Sequence, residues 1–403
     1  MSNTNDIYGT LFSFQAGLLK GIHNNFRRYL HANINWNQRM IGIKGPRGSG
    51  KTTLLLQYLK FDLKQPANAL YVTADHTWFY NHTLLETAED WYKMGGRILI
   101  IDEVHKYPNW SRELKNIYDG FADLKIIFSA SSALDIYRGE ADLSRRVIHY
   151  SLAGLSFREF IEFSTQQKLK AYSFKDLLKN HHQIAVKITE DLHPLPLFKK
   201  YLQYGYLPIT AEGEKEYPIK LNQIINAVIE TDLAFIASYG PGTALKVKKL
   251  IAVIAESVPF KPNISALAQK LDISRDSLYT YISQLTQARI INTLQASGKG
   301  ISTLQKPEKI YLENTNLSYA LTSSPDIVNL RETFLFNQLQ NAGLVVSAPK
   351  EGDFLTEGYH IEVGGKNKTA KQVKATEKHI IVADEIEIGI GTKIPLWLFG
   401  FMY

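Results

Sequence analysis

A glycine-rich run that also holds a lysine and two threonines has the composition of a phosphate cradle. It matches the pattern G-x-x-x-x-G-K-[ST] in full. Glycines let backbone N–H groups approach phosphate oxygens, and a helix that begins directly after them adds a positive N-terminal dipole. The pattern therefore predicts a nucleotide site, with Lys51 on the β- and γ-phosphates and the Thr52 hydroxyl on magnesium. The residues of the run are Gly45, Pro46, Arg47, Gly48, Ser49, Gly50, Lys51, Thr52 and Thr53.

Two adjacent acids, Asp102 and Glu103, follow an apolar run at residues 98–101. In proteins with such a phosphate loop, an acid at the carboxyl end of a strand holds magnesium, commonly through water, and a second acid can polarise the attacking water. We therefore assign Asp102 to the metal and Glu103 to the general base. A carboxylate base predicts turnover of ATP, because a passive nucleotide binder needs no base and a GTPase usually presents other chemistry.

Polar and basic residues near the same predicted edge extend this candidate site. A serine-rich run at 129–132 ends a predicted strand, and one of its polar side chains, Ser131 or Ser129, could sense the γ-phosphate or position water. Ordinary turn chemistry is the alternative for the serine run. Arg145 and Arg146 precede another predicted strand, and one of them could neutralise transition-state charge in its own subunit or in a neighbouring copy. The second case predicts a homo-oligomer that supplies an arginine, and a solvated arginine pair is the alternative.

Alternating strand and helix patterns position these residues. Continuous apolar runs predict buried strands, and the stretches between them have helical spacing. Strands separated by helices predict an α/β fold with a parallel sheet covered on both faces. We expect this P-loop domain to span residues 1–165. The predicted strands are 40–44, 69–73, 98–101, 124–128 and 147–152, and the predicted helices are 54–63, 84–93 and 110–120.

Three runs within this segment resemble one family. Residues 98–110, 126–133 and 142–160 look like the corresponding parts of the AAA_14-type ATPases, which are similar to the archaeal-type ATPases of the wider AAA+ and STAND-like group. The resemblance implies ATP and magnesium as ligands. It also implies an additional-strand P-loop sheet, in which the strand before Asp102 is not adjacent in sequence to the P-loop strand. Ala130 stands where the family commonly has glycine.

The middle of the chain is interpreted as a helical connector followed by a winged helix. Residues 166–240 are mostly helical by pattern and form a lid or connector, and 198–208 is similar to a segment that follows the ATPase domain in the same family. Gly-Pro-Gly at 240–242 predicts a hinge. Beyond the hinge, three helices and two strands predict a winged helix-turn-helix over residues 241–320. These elements are 245–257, 264–271, 275–288, 290–294 and 309–312.

The predicted winged helix could contact double-stranded DNA. Arg275, Ser277 and Tyr279 face outward from its third helix and could enter a major groove, and Lys299 at the hairpin tip could touch phosphate. The third helix holds few basic residues, however, and winged helices also serve as protein-interaction modules. Both interpretations stay open at the level of the sequence.

Acidic residues and a lysine have a suggestive spacing in the C-terminal residues 326–403. Asp353 starts one predicted strand, Glu362 lies on the next, and Glu332 lies on the preceding helix. The pattern resembles a restriction-endonuclease-like PD-(D/E)xK arrangement, in which the carboxylates could bind magnesium and Lys366 could position the nucleophile. Together with the predicted winged helix, it resembles a DUF4143-like C-terminal region. That family needs E-x-K, whereas two inserted residues move Lys366 out of strand register here. An active nuclease and a degenerate fold without cleavage both stay open.

Length and composition bound the function classes. The chain has 403 residues, which a prior of about 150 residues per domain divides into two to four domains. It has no cysteine, which excludes disulfide scaffolds, thiol catalysis and cysteine-based zinc sites and agrees with a cytoplasmic location. No run approaches the roughly 18 apolar residues of a membrane helix, so we expect no membrane partner. The net charge of +7 permits nucleic-acid binding without establishing it.

Three functions are compatible with these patterns. The first is magnesium-dependent ATP hydrolysis, coupled to a C-terminal region that acts on DNA. The second is a nucleotide-switched DNA-binding regulator, in which hydrolysis with little turnover resets a conformation. The third is a metal-dependent nuclease that uses the acids of the C-terminal region. The first is favoured, because the phosphate loop and the acid pair predict the same chemistry independently.

Overall fold

The computed structural model describes residues 4–132, 143–237, 239–257, 259–297, 306–369 and 378–403. The chain divides into two units, Met1–Ala153 and Gly154–Tyr403. In the first unit the strands are β1 (Met40–Gly45), β2 (Ala69–Thr73), β3 (Ile98–Asp102), β4 (Lys125–Ser131) and β5 (Ile148–Ser151). Its helices are α1 (Thr4–Lys20), α2 (Tyr29–Asn33), α3 (Lys51–Gln57), α4 (Leu84–Lys93) and α5 (Trp110–Gly120).

The strands of the first unit form one parallel sheet in the order β2-β3-β4-β1-β5. Leu70, Ile101 and Phe128 belong to one buried cluster, and Tyr71 and Ile100 belong to another. Apolar side chains therefore pack on both faces, which is why the strands are continuous apolar runs. The predicted α/β fold with a parallel sheet is confirmed, and β4 is the additional strand between β1 and β3.

Two details of this unit differ from the pattern-based expectation. The helix predicted at 54–63 begins at Lys51, where the phosphate loop ends, and its last turn, Tyr58–Asp62, is a π-helix. The patterns also do not predict α1. The Gln15 side-chain oxygen on α1 accepts a 2.7 Å hydrogen bond from the Tyr71 backbone N–H. Strand β2 lies at the edge of the sheet, where backbone N–H groups have no neighbouring strand to pair with. Helix α1 thus provides an acceptor for one of these N–H groups.

The second unit begins with helices and ends with a small sheet. Its helices are α6 (Phe157–Thr165), α7 (Phe174–Asp191), α8 (Pro194–Tyr204), α9 (Tyr217–Ala227), α10 (Ala234–Ala237), α11 (Pro241–Glu256), α12 (Ile264–Leu271), α13 (Arg275–Gln287), α14 (Thr315–Leu321) and α15 (Ile327–Asn341). Its strands are β6 (Ile291–Leu294), β7 (Lys309–Leu312), β8 (Phe354–Thr356), β9 (Tyr359–Gly364), β10 (His379–Ala383) and β11 (Lys393–Pro395).

Helix α6 packs within the second unit. Its Phe157 ring centroid lies 5.2 Å from that of Phe198 on α8 and 5.8 Å from that of Phe401 near the end of the chain. The Ser156 hydroxyl, which caps α6, donates to the Tyr403 carbonyl oxygen at 2.7 Å. The observed division after Ala153 therefore precedes the predicted domain boundary at residue 165. The further boundaries at residues 240 and 320 stay predictions.

Helices α11, α12 and α13 are followed by the antiparallel pair β6–β7, which is the element order predicted for a winged helix. Ser274 caps α13, because its hydroxyl accepts a 3.0 Å hydrogen bond from the Ser277 backbone N–H. Val247 on α11 and Leu278 on α13 are fully buried. The assignment of these elements as a winged helix stays a prediction, and Lys299 lies outside the described residues.

The C-terminal strands form a sheet in the order β11-β10-β9-β8. Strand β8 is antiparallel to β9, whereas β9, β10 and β11 are parallel to one another. Stacked rings of Phe336 on α15 and Phe354 on β8, with centroids 5.5 Å apart, pack the preceding helix on this sheet. Among the helices of the described ranges, none is both long and apolar enough to cross a lipid bilayer.

Candidate functional site

The predicted phosphate loop connects the end of β1 to the start of α3. Gly48 and Gly50 have φ values of 81° and 92°, which side-chain-bearing residues rarely adopt. A Cβ atom on Gly45 would lie 2.3 Å from the Leu152 carbonyl oxygen, so the close approach of the chain after β5 requires glycine there. The Lys51 ammonium donates to the carbonyl oxygens of Gly45 at 2.9 Å and Pro46 at 3.1 Å. The loop therefore has the turn geometry, and holds the lysine, that phosphate binding needs.

Asp102 ends β3 beside this loop and is the centre of a hydrogen-bond cluster. Its Oδ2 atom accepts from the Thr52 hydroxyl at 2.5 Å and from the Tyr71 hydroxyl at 2.8 Å. Its Oδ1 atom accepts from the Ser129 hydroxyl and, at 3.1 Å, from the Glu103 backbone N–H. The Asp102 side chain is buried. These four contacts come from neutral donors, so they orient the carboxylate without neutralising its charge.

Glu103 follows directly and has a left-handed backbone, with φ of 51°. Its N–H also donates to the Ser129 hydroxyl at 3.0 Å. Burial raises the pKa of Glu103, the charges of Asp102 and Asp75 raise this pKa further, and Arg47 counteracts the rise. A carboxylate with a raised pKa is a better proton acceptor near neutral pH. This environment suits the general-base role predicted for Glu103.

Thr52 and Asp102 present oxygen donors that suit a magnesium ion. Magnesium usually binds through one or two carboxylates together with substrate phosphates and water. The Thr52 and Asp102 oxygens already lie within hydrogen-bond distance of each other at the phosphate loop. Ser49, in the same loop, has a buried hydroxyl without a partner among the described residues. Within those residues no group of three or more His, Cys, Asp or Glu could hold a metal, so any magnesium here would need the nucleotide as a further ligand.

Ser129, rather than Ser131, is the serine at the acid pair. The register pairs Ile101 with Phe128, which places the next residues, Asp102 and Ser129, side by side at the sheet edge. The Ser131 backbone N–H instead donates to the His105 ring at 3.3 Å. The parallel register between β3 and β4 is what distinguishes Ser129 from Ser131. The sequence alone does not give that register.

The two candidate arginines have different surroundings. Arg146 forms an ion pair with Asp119 on α5, with two nitrogen–oxygen distances of 2.9 Å. Arg145 is exposed, has φ of 70° and has no ion-pair partner in the part of the chain that the structure describes. Of the two arginines, Arg145 is therefore the one that forms no ion pair with an acid among the described residues.

A buried arginine supports the phosphate loop and was not predicted. The Arg28 guanidinium donates to the Ser49 carbonyl oxygen and, at 2.8 Å, to the Ala153 carbonyl oxygen. The Arg28 side chain is buried. It joins the phosphate loop to the end of the first unit. No local pattern identifies such a residue, because it lies outside the motif and acts through backbone oxygens.

The acids of the predicted nuclease-like site lie in the second unit, and each has a lysine partner. Lys309 on β7 lies 3.1 Å from a Glu332 carboxylate oxygen and 3.9 Å from an Asp353 carboxylate oxygen. The Tyr311 hydroxyl also donates to Glu332 at 2.6 Å. The Asp353 carboxylate further accepts a 2.8 Å hydrogen bond from the backbone N–H of residue 363. The positive charge beside these two acids is therefore internal to the protein.

Lys368, rather than the predicted Lys366, reaches the Glu362 carboxylate. Strand β9 ends at Gly364, and a turn closed by the Lys368 N–H to the Gly365 carbonyl oxygen at 2.9 Å follows it. This turn returns Lys368 over the strand, so that its ammonium lies 2.9 Å from Glu362. Lys366 contributes its backbone carbonyl oxygen to Lys393 at 3.0 Å. The inserted residues thus form a turn, and Lys368 takes the position beside Glu362 that was predicted for Lys366.

The predicted DNA-contacting residues lie at the start of α13. Arg275 is exposed and has no ion-pair partner within the described ranges. The Ser277 hydroxyl lies 2.9 Å from the Ser274 hydroxyl, which engages it in the helix cap. Tyr279 is half-buried. The exposed basic chemistry of this helix start is thus limited to Arg275.

Comparisons with known proteins agree with the fold of the first unit. Residues 37–161 match the family model AAA_14, an AAA domain, and residues 195–327 match DUF8612, a domain of unknown function. No curated protein matches the chain. The first match and the sheet order identify an AAA-type P-loop domain, which is a nucleotide-binding fold.

Three solved structures are distantly similar to the chain. The Aeropyrum pernix ORC1 protein in complex with DNA is 11% identical with a TM-score of 0.31, and the match covers 73% of this chain and 88% of that one. AMPPCP-bound DnaA from Aquifex aeolicus is 16% identical with a TM-score of 0.28, covering 70% and 88%. PCH-2 from C. elegans is 17% identical with a TM-score of 0.24, covering 40% and 46%. All three TM-scores are low.

Proposed function

We propose that the chain binds ATP together with magnesium and hydrolyses it. The observation that supports this most strongly is the meeting of Thr52, Asp102 and Glu103 beside the glycine-rich loop. Magnesium bound with ATP neutralises negative charge on the phosphates. Thr52 and Asp102 are the residues that would hold it, because their oxygens converge where β3 ends next to α3.

Lys51 and the loop amides bind the phosphates in this proposal. The Lys51 ammonium now donates to two loop carbonyl oxygens, and phosphate oxygens are stronger acceptors for the same group. The backbone N–H groups at the start of α3 add donors and the positive end of the helix dipole. Nucleotide binding therefore offers the lysine charged acceptors in place of these two carbonyl oxygens.

Glu103 accepts the proton of the attacking water. Its backbone N–H is fixed by the Asp102 carboxylate and the Ser129 hydroxyl, so the side chain projects from a defined position. Burial and the neighbouring acids raise the pKa of Glu103, which strengthens it as a base. Asp102 keeps the metal role, because its two oxygens are already oriented by donors from β2, β4 and α3 and by the backbone N–H of the residue that follows it.

The test compares ATP binding and phosphate release in wild type and Glu103→Gln. The amide keeps the shape of the side chain but cannot take a proton, so we expect binding to persist and phosphate release to fall by about 100-fold or more. Glu89→Gln, an exposed acid on α4 paired with Lys93, is the matched control and should behave as wild type. Equal release by wild type and Glu103→Gln would remove Glu103 from the mechanism.

A nucleotide-switched DNA-binding regulator is the second candidate function. It is supported by Arg275, which is exposed at the start of α13 and has no ion-pair partner in the described part of the chain. We expect duplex DNA to bind more weakly as salt rises, and Arg275→Ala to lower the salt slope by about 1. Lys187→Ala, an exposed lysine on α7, is the control. Absence of binding at low salt would eliminate this function.

Nuclease activity is not included in the proposal. Lys309 and Lys368 supply positive charge to the acids of the nuclease-like region, where a metal-dependent nuclease would need those acids for its metal. The degenerate alternative, a related fold without cleavage, is therefore the one that the ion pairs favour. Plasmid incubated with the protein and magnesium should stay intact. Cleavage that is abolished by Glu362→Ala would restore the nuclease hypothesis.

A further inference from the structure

Tyr71 lies outside every motif of the chain, yet its hydroxyl contacts the candidate magnesium-binding acid. Tyr71 lies on β2, two residues before Thr73, and the strand register places Thr73 opposite Asp102. Its hydroxyl donates to Asp102 Oδ2 at 2.8 Å, and its side chain is 1% exposed. Its backbone N–H is fixed by Gln15. The ring and the backbone of Tyr71 are thus both held in place.

The phenol differs from the other donors around Asp102. Thr52 is needed for the metal, and Ser129 also accepts from the Glu103 N–H, so both hydroxyls serve a second group. Among the described residues the Tyr71 hydroxyl has Asp102 as its hydrogen-bond partner. A tyrosine hydroxyl is ordinarily neutral near pH 7, and this one donates to a single carboxylate oxygen.

We propose that Tyr71 is a positioning residue that orients the Asp102 carboxylate for magnesium, and this rests on the proposed ATP function. Groups that hydrogen-bond to a metal-binding carboxylate fix its direction, and their loss typically lowers metal affinity by about 10- to 100-fold. Because the phenol brings no positive charge, it orients Asp102 without competing electrostatically with the cation. Tyr71 therefore affects the magnesium-dependent part of nucleotide affinity, while the loop amides and Lys51 bind the phosphates.

The test measures the affinity of a fluorescent ATP analogue with magnesium and with EDTA. For Tyr71→Phe we expect the nucleotide affinity in EDTA to equal that of wild type. The ratio of the affinity with magnesium to the affinity in EDTA, which is the magnesium-dependent gain, should fall by about tenfold. Tyr58→Phe is the matched control, because Tyr58 is also a buried tyrosine of this unit but contacts Lys125 instead. Substitution by phenylalanine keeps the ring packing, and a thermal unfolding midpoint measured without nucleotide checks the fold.

A double-mutant cycle with Asp102→Asn separates positioning from a merely structural role. If Tyr71 acts through Asp102, Tyr71→Phe causes no further loss of the magnesium-dependent gain once Asp102 has been replaced. An equal loss in both backgrounds, or an unchanged gain in Tyr71→Phe alone, overturns the proposal. If wild type itself shows no magnesium-dependent gain, the proposed ATP function fails instead, so the two failures are distinguishable.

Discussion

Two sets of carboxylates in this molecule are surrounded by donors of different charge. In the first unit Asp102 accepts hydrogen bonds from hydroxyls and a backbone N–H, which are all neutral. In the second unit the acids of the nuclease-like region contact ammonium groups. These pairs are Lys309 with Glu332 and Asp353, and Lys368 with Glu362.

The difference shows why an acid pattern alone does not establish a metal site. A buried carboxylate needs compensating positive charge, because burial disfavours the ionised form. Hydroxyls orient Asp102 but leave its charge available to a cation that arrives with a ligand. Lysines next to Glu332 and Glu362 supply that charge permanently. Sequence patterns predict both sets as magnesium sites, and only the partners distinguish them.

The largest expected effect comes from removing an arginine that could neutralise charge on the phosphates in the transition state. Arg145→Ala should lower phosphate release by about 1,000-fold if Arg145 neutralises transition-state charge. Arg146→Ala should change release by less than about twofold, because Arg146 forms an exposed ion pair with Asp119. Steady-state phosphate release by both variants checks this prediction. If Arg145→Ala releases phosphate as fast as wild type, Arg145 does not neutralise transition-state charge.

Mixing variants shows which subunit supplies the arginine. Arg145→Ala and Glu103→Gln proteins each lack one necessary group, so a mixed assembly regains turnover only if the arginine of one copy serves the nucleotide of its neighbour. Partial recovery in the equimolar mixture would assign the arginine to a neighbouring copy, and no recovery would assign it to the same copy. Recovery would also be direct support for a homo-oligomer.

The next effect tests the two sets of acids against each other. Asp102→Asn should remove about 100-fold of magnesium-dependent ATP affinity, since it deletes a carboxylate charge whose hydrogen-bond donors among the described residues are neutral. Glu332→Gln should leave that affinity unchanged, because Lys309 neutralises Glu332 internally. Nucleotide titrations with magnesium and with EDTA measure both variants. If Glu332→Gln lowers the magnesium gain as much as Asp102→Asn does, the comparison is wrong.

Removing the internal lysine should make the second set of acids resemble the first. Lys309→Met leaves Glu332 and Asp353 without their ammonium group, so the free energy of unfolding should fall by about 2 kcal/mol, and added Mn²⁺ should recover part of it. Lys187→Met, at an exposed site, is the control. Urea titrations with and without Mn²⁺ provide the measurement. Strong stabilisation of the wild-type second unit by Mn²⁺ would contradict the interpretation.

The smallest effect is a pH-dependent change in stability at Glu103. Burial and neighbouring acids raise the pKa of Glu103 above that of the unfolded chain, so its ionisation lowers stability as pH rises through the raised pKa. Glu103→Gln should therefore be more stable than wild type at pH 8. The difference should disappear well below the ordinary glutamate pKa of about 4.3, where the wild-type carboxyl is protonated in both states. A pH-independent difference would point to packing instead.

Local patterns predicted much of the first unit correctly. The strands at 69–73 and 98–101 were expected where the structure places β2 and β3, because continuous apolar runs have few alternatives in a sheet covered on both faces. The loop at 45–53 and the acid pair at 102–103 are each contiguous in sequence, so their chemistry could be predicted from residue types, and it stays a prediction. The confirmed features of the fold are those that neighbouring residues determine among themselves.

The remaining contacts join distant parts of the chain and have no local signal. Tyr71 and Arg28 reach Asp102 and the phosphate loop through the sheet register and the chain path. Lys368 replaces Lys366 because a turn after β9 changes the register, and Lys309 comes from β7, far from Glu332 in sequence. These partners determine charge compensation, which is why the two sets of acids could not be distinguished from the sequence.

Calorimetric titration of wild type and Lys51→Ala with magnesium and ATP tests the central claim most directly. The account predicts a saturable heat of binding in wild type and an affinity at least about 100-fold lower in Lys51→Ala, because the ammonium group is lost from the phosphates. Lys93→Ala, an exposed lysine on α4, should bind as wild type does. No binding heat in wild type, or equal affinities in wild type and Lys51→Ala, would contradict the account.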